Sequence, residues 1–264
     1  MRTTLRDIRR LLEAGEPIPM VTAYDYTSAR LADAAGIPLI LVGDSLAQTM
    51  LGFEDTLPVT VDDMVRHTAA VVRGTERAFV VADMPFMSYQ VSVADTLRNA
   101  ARLLKEGGAQ GVKLEGGGPT VERVRALVES GAAVMGHVGF TPQSVHKLGG
   151  YHVQGRTAEA AQAVRDDARA LEEAGAFAVV LELVPDELAE EISAELAIPT
   201  IGIGAGAGCD GQIQVWHDLL GLSLDFAPRH AARYAALGIA AREALERWAS
   251  DVRERRFPAA AVRR

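Results

Sequence analysis

The chain has 264 residues, 48% of them hydrophobic, with a mean hydropathy of +0.08; this is ample for one large domain, and α/β barrels run to about 250 residues. The net charge is −8, and no lysine or arginine block stands out beyond Arg253–Arg256 and Arg263–Arg264, which argues against nucleic acid as the main partner. A single cysteine, Cys209, excludes an intramolecular disulfide and a Cys-based zinc site.

The first segment, "MRTTLRDIRRLLEAG", reads as an amphipathic helix with Leu5, Ile8, Leu11 and Leu12 on one stripe. It lacks the uninterrupted apolar core of a signal peptide, and no later stretch reaches the roughly 18 apolar residues of a membrane helix. A cytoplasmic protein with no membrane partner is the expectation.

Short apolar runs then recur, each followed by polar or glycine residues and a helix-period segment. In chain order they are "PMVTAYD", "PLILVGDS", "AFVVADMPF", "AQGVKLEGG", "AAVMGHVGF", "AFAVVLELVP" and "PTIGIGAG", with "QIQVWHD" as a less secure eighth. The helical segments carry start and stop signals. "SVADTLRNAARLLKEGG" opens on Ser92 and Asp95 in capping-box spacing and stops at Gly107–Gly108; further helices are read from Thr120 to Gly131 and from Thr157 to Gly175. Continuous apolar strands alternating with helices imply a parallel sheet with its outer face covered. The expected fold is α/β, a (β/α)8 TIM barrel occupying residues 1–264 as one domain, with an N-terminal helix and a helical tail after Asp225. Its weak point is the gap between Gly206 and Gln212, too short for a crossover helix.

In such barrels the active site forms at the C-terminal ends of the strands. Those ends carry Tyr24 and Asp25, Asp44 and Ser45, Asp83, Lys113 and Glu115, His137, Glu182, and the glycines of "GIGAG". Each has a plainer reading. Asp25 and Ser45 suit helix caps or turns, Lys113 and Glu115 suit an internal salt bridge, and His137 suits a hydrogen-bonded interior histidine. Glu182 lies in "VVLELVP", where an unpaired carboxylate is costly. Taken together, several acids converging on one rim call for a cation, and oxygen ligands suggest Mg²⁺. Such an ion could chelate a 2-oxo acid and stabilise an enolate, with Lys113 adding positive charge. Glu182, between Leu181 and Leu183, is the best placed general base, because apolar surroundings raise a carboxyl pKa. "GIGAGAG" is superficially similar to a dinucleotide loop, but no clear helix start and no acid about 20 residues downstream accompany it; close backbone packing is the better reading.

The segments "VTAYD", "GDS", "ADMPF", "GVKLEGG", "HVGFTPQS", "GGYHVQGR", "LELVP" and "GIGAG…CDGQ…HDLLG", in order from Val21 to Gly221, resemble the ketopantoate hydroxymethyltransferase family. The resemblance implies a (β/α)8 barrel with Mg²⁺ held at Asp44, Asp83 and Glu115, the last of these through water. It implies that 3-methyl-2-oxobutanoate binds at Asp44, Ser45, Asp83 and Lys113, that Glu182 is the proton acceptor, and that His137 orients a substrate oxygen. The implied reaction forms a metal-stabilised enolate that attacks the one-carbon unit of methylene-tetrahydrofolate, giving 2-dehydropantoate, the first step of pantothenate synthesis. Assembly as a homodecamer is implied as well. Departures are Ala207–Gly208, where a proline or polar residue is expected, and Leu183, where the family often has cysteine.

Two alternatives remain beside it. One is another Mg-dependent 2-oxo acid lyase or mutase of the phosphoenolpyruvate mutase/isocitrate lyase type, although Cys209 in "GAGCDG" does not match the "KKCGH"-like loop of those lyases. The other is a non-catalytic barrel that binds a small acid, which the presence of Lys113, Glu115 and Glu182 together disfavours.

Overall fold

The computed structural model describes residues 2–224, 228 and 231–258, in two compact units, Met1–Val215 and Trp216–Arg264. The first unit runs α1 (Leu5–Glu13), β1 (Ile18–Thr22), α2 (Tyr26–Ala34), β2 (Leu39–Val42), α3 (Leu46–Thr49), α4 (Val61–Gly74), β3 (Phe79–Asp83), α5 (Val93–Lys105) and β4 (Gly111–Lys113). It continues through α6 (Pro119–Glu129), β5 (Ala133–Gly139), a 3₁₀ turn (Pro142–Ser144), α7 (Val145–Leu148), α8 (Ala158–Glu173), β6 (Ala178–Glu182), α9 (Asp186–Glu195), β7 (Thr200–Ile203) and β8 (Gly211–Gln214). The strands pair in parallel in chain order and close β8 onto β1, so the barrel expected from the strand pattern is present.

The helices begin where small polar side chains can take the free N–H groups of a first turn. Thr4, Asp25 and Thr60 complete capping boxes with Asp7, Ser28 and Asp63. Ser92 and Thr157 each accept one N–H at the starts of α5 and α8. Such caps contribute about 1 kcal/mol each. Helix α6 departs from the sequence expectation: Gly118 is its N-cap and Pro119 its first residue, while the Thr120 hydroxyl instead donates to Glu115 O at 3.2 Å. Proline supplies the first helical φ and has no N–H to leave unpaired.

Side chains alternate across each strand, so every second residue points into the lumen. The lower lumen is filled by Ile18 and Met20, Leu39 and Leu41, Phe79 and Val81, Met135, Ala178 and Val180, Ile201 and Ile213. Ile8 of α1 is buried in the same cluster with Leu11 packed beside it, so the N-terminal helix closes the bottom of the barrel. Leu5, on the predicted stripe, is exposed. One step further up, the same inward series turns polar at Asp83, Lys113, His137 and Glu182.

The short gap before β8 is bridged without a helix. Residues 204–210 cross directly to a strand that pairs parallel with β7, Ile201 opposite Gly211. The loop lies so close to α9 that a methyl group at Gly206 would overlap Asp186 and one at Gly208 would overlap Glu190. Gly208, a departure from the family pattern, is thus a packing requirement of this crossover. Asp210 ties its end down, accepting from Thr200 N at 2.8 Å and Thr200 Oγ1 at 2.9 Å.

The second unit holds α10 (Trp216–Leu220) and α11 (Leu237–Arg253). Among the described residues of the tail expected to be helical, α11 begins at Leu237. Residues 231–236 form no helix, and Asp225–Ala227, Arg229, His230 and residues 259–264, including Arg263–Arg264, lie outside the described residues. Among the described residues, no helix is long and apolar enough to cross a membrane.

Candidate active site

The upper lumen gathers ionisable groups that are almost wholly buried: Asp44, Asp83, Lys113, Glu115, His137 and Glu182 are all 9% exposed or less. Strand register explains their approach. Asp83 stands opposite Lys113 across the β3–β4 pair, and the Lys113 ammonium lies 2.7 Å from Asp83 Oδ1. The inner face of β2 ends on Gly43, where a Cβ would crowd Ser45 Oγ. That clearance lets Asp44 N donate to Asp83 Oδ2 at 3.0 Å. Strand β4 ends at Lys113, but its backbone bonding continues, Leu114 N to Met135 O and Gly116 N to His137 O, so Glu115 keeps the inward alternation.

Glu115 Oε1 lies 3.6 Å from Lys113 Nζ and 3.5 Å from His137 Nδ1 and accepts no hydrogen bond, whereas Oε2 accepts from Gln143 N at 3.0 Å. The Lys113–Glu115 salt bridge considered from sequence is therefore the looser contact; Asp83 is the closer partner. His137 stands between two acids, with Nε2 3.2 Å from Glu182 Oε2. This supplies the partner for Glu182 that the sequence did not reveal. The Glu182 carboxylate meets an imidazole, and the purely apolar setting expected from Leu181 and Leu183 is not what surrounds it.

Burial disfavours the charged form of all these groups, and their neighbours decide the outcome. For Asp44, burial and the nearby charges of Asp83 and Glu115 together push the carboxyl well above its usual range. Asp83 is raised by burial even against the Lys113 charge. Burial also opposes the ionised form of Glu115, but Lys113 and His137 outweigh it and hold the carboxyl low. Lys113 loses to burial and gains more from Asp83, Glu115 and Asp44, so it stays an ammonium. Burial and the Lys113 charge push His137 down, yet Glu115 and Glu182 prevail and raise it to about 9.

The other predicted residues fall into place around this row. Ser45 is near enough for its Oγ to bond Tyr24 Oη at 2.9 Å, and it is not a side-chain cap for α3. Asp25 is a cap, bonded to Ser28 N at 2.7 Å, so the strand-end carboxylates that converge here are Asp44, Asp83, Glu115 and Glu182. Two buried residues were not singled out from sequence. Gln143 donates through Nε2 to Asp44 Oδ2 and to Met84 O, both at 2.9 Å, and Tyr89 Oη donates to Gln143 Oε1 at 2.8 Å. Gln143 stands in the quoted "HVGFTPQS" segment, and an amide beside a proline at a strand end was the available signal.

A divalent cation suits this donor set. Burial holds Asp44 and Asp83 above the ordinary carboxylate range, with the charges of Asp83 and Glu115 adding to it at Asp44 and that of Glu115 at Asp83; a cation would relieve this, and Glu115 Oε1 is uncommitted. Among the described residues, no three His, Cys, Asp or Glu side chains stand as a ready ligand cluster; Asp83 is taken up by Lys113 and by Asp44 N.

A ketopantoate hydroxymethyltransferase family model matches residues 2–260. The chain belongs to the ketopantoate hydroxymethyltransferase family. It is 60% identical to the 3-methyl-2-oxobutanoate hydroxymethyltransferase of Chloroflexus aurantiacus, over 98% of this chain and 91% of that one. It is 59% identical to the enzyme of the same name from Nitratidesulfovibrio vulgaris, over 97% of this chain and 83% of the relative. Among solved structures, phosphonopyruvate hydrolase superposes with a TM-score of 0.65 at 15% identity, covering 99% of this chain and 92% of that one. A 2,3-dimethylmalate lyase of the PEP mutase/isocitrate lyase superfamily gives 0.60 at 22%, covering 95% and 88%. At those identities the likeness is one of barrel fold, and the lyase or mutase alternative has nothing further behind it.

Proposed function

We propose that this protein is a 3-methyl-2-oxobutanoate hydroxymethyltransferase. It moves a one-carbon unit from methylene-tetrahydrofolate to the methine carbon of the 2-oxo acid, consumes water, and releases 2-dehydropantoate and tetrahydrofolate, the first step of pantothenate synthesis. The observation that supports this most is the buried row Glu182, His137, Glu115, Lys113 and Asp83 at the strand ends of a chain in this family.

Glu182 takes the methine proton onto its carboxylate, whose Oε2 lies 3.2 Å from His137 Nε2. Lys113, kept protonated by three carboxylates, compensates the charge of the anionic substrate and of the enolate as it forms. Ser45 and Asp83 line the side of β2 and β3, where the oxo acid is read. Asp44, Asp83 and Glu115 would hold Mg²⁺, which when bound supplies Lewis-acid polarisation of the keto oxygen. The same reading takes the chain as one functional domain, cytoplasmic and assembled as a homodecamer.

The test is proton exchange. With Mg²⁺ present and folate absent, the protein should exchange the methine proton of 3-methyl-2-oxobutanoate for deuterium, followed by NMR. Glu182→Gln should keep oxo acid binding and lose exchange by a factor on the order of 10²–10⁴. Undiminished exchange in that variant would remove Glu182 from the role of base, and no exchange by folded wild-type protein would defeat the enolisation mechanism.

A further inference from the structure

Gln143 is 5% exposed, and every hydrogen-bonding function of its side chain is in use. Nε2 donates to Asp44 Oδ2 and Met84 O, both at 2.9 Å. Oε1 accepts from Tyr89 Oη at 2.8 Å and Gln90 Nε2 at 3.3 Å. Its backbone N donates to Glu115 Oε2 at 3.0 Å. Tyr89 Oη in turn lies 3.2 Å from both Glu115 N and Glu115 O. One residue placed after β5 thus joins the ends of β2, β3 and β4.

The chemistry of the partners dictates which way the amide faces. Met84 O can only accept, so the NH₂ end must point toward it, and the Asp44 oxygen beside it is then an acceptor too. Tyr89, 1% exposed, supplies the hydroxyl that fits the opposite end. Two mutually repelling carboxylates, Asp44 and Glu115, are in this way each given one neutral donor from the same residue. One oxygen of each is anchored, and the other is left out of these bonds.

We infer that Gln143 is a positioning residue that fixes the orientation of the Asp44 and Glu115 carboxylates for a divalent cation, with Tyr89 setting the direction of its amide. The inference rests on the proposed function, since it assigns Gln143 to the metal side of that site. Removing partners that orient metal-binding groups typically costs 10–100-fold in affinity.

The experiment measures Mn²⁺ binding directly, from the electron paramagnetic resonance signal of free Mn²⁺, in wild type, Gln143→Glu, Gln143→Leu and Tyr89→Phe. Gln143→Glu keeps the shape but sets an anion against Asp44 and Met84 O. It should bind Mn²⁺ more weakly by a factor on the order of 10–100. Gln143→Leu should behave alike, with its oxo acid exchange largely restored by excess Mg²⁺, a rescue that a general packing defect does not show. Tyr89→Phe should move in the same direction by a smaller factor. If Gln143→Leu does not fold, the isosteric Glu variant and Tyr89→Phe decide. Mn²⁺ affinities within threefold of wild type in folded variants overturn the inference alone. Wild-type protein that neither binds Mn²⁺ nor exchanges the substrate proton overturns the proposed function and this inference with it.

Discussion

Asp33 shows how a single carboxylate holds the lower end of the barrel together. It is 6% exposed at the end of α2, and its oxygens accept from the backbone N–H groups of Glu76 at 3.1 Å, Arg77 at 2.9 Å and Ala78 at 2.7 Å, just before β3. Burial alone would raise this carboxyl, but the bonds from Ala78, Arg77 and Glu76 outweigh it and hold the carboxyl below its usual value. A folded-state pKa that is depressed means stability present above the unfolded value of about 3.9 and lost as pH falls through the lower folded value. Asp33→Ala should lower unfolding free energy by about 3 kcal/mol at pH 7, measured by urea denaturation, because several N–H groups lose their acceptor. The difference between variant and wild type should shrink as pH falls below about 4. An unchanged difference at low pH would mean that the carboxylate charge is not what the loop needs. At the same scale, Lys113 and Asp83 form a pair whose one-sided removal leaves a buried charge, a loss of about 3–5 kcal/mol.

At the scale of elements, the glycines of "GVKLEGGG" serve neighbouring structure. Gly116 and Gly118 take positive φ, 94° and 47°, to turn the chain from β4 into α6. Gly117 has no such need, but a methyl group there would overlap Asp167 of α8, which itself accepts from Gly118 N at 3.2 Å. At Gly117 the approach of α8 is the cause. Gly117→Ala should therefore cost about 2 kcal/mol through overpacking. Gly131→Ala, at φ 93° but with open space around it, should cost only the backbone penalty of about 1 kcal/mol. Thermal melts of the two variants check the order, and equal losses would show that sterics at Gly117 are relieved by a shift of α8.

For the whole molecule, the second unit exposes Leu245, Trp248 and Val252 along α11, with Trp248 edge-on to Phe257 at 6.4 Å. Surface of this kind usually marks an interaction site, in keeping with the proposed homodecamer. Light scattering of the purified protein should give a mass near ten chains of 28.1 kDa. A monomeric mass at micromolar concentration would contradict the assembly. Gly221 and Gly238 leave no room for a methyl group against Ala235 O and Leu222 O, so the joint between α10 and α11 is built around them.

Much of this was legible along the chain, because strand alternation and helix caps are local. Periodicity located eight strands, Ser92 and Thr157 marked helix starts, and the inward step of each strand put Asp83, Lys113, His137 and Glu182 in one layer. The partners within that layer depend on strand register and on loops that meet only after the barrel closes, which no local pattern encodes. That is why Lys113 turned out to pair with Asp83 more closely than with Glu115, why His137 proved to be the neighbour of Glu182, and why Asp25 left the cluster to cap α2. It is also why Gln143, some hundred residues from Asp44, gained its place only in three dimensions. The sequence by itself determined the barrel and the residue types of its upper layer, through the period-two pattern of burial. The tertiary structure alone decided which charges touch, since closure brings distant strand ends within hydrogen-bond reach and leaves each buried charge to settle with the neighbours it meets there.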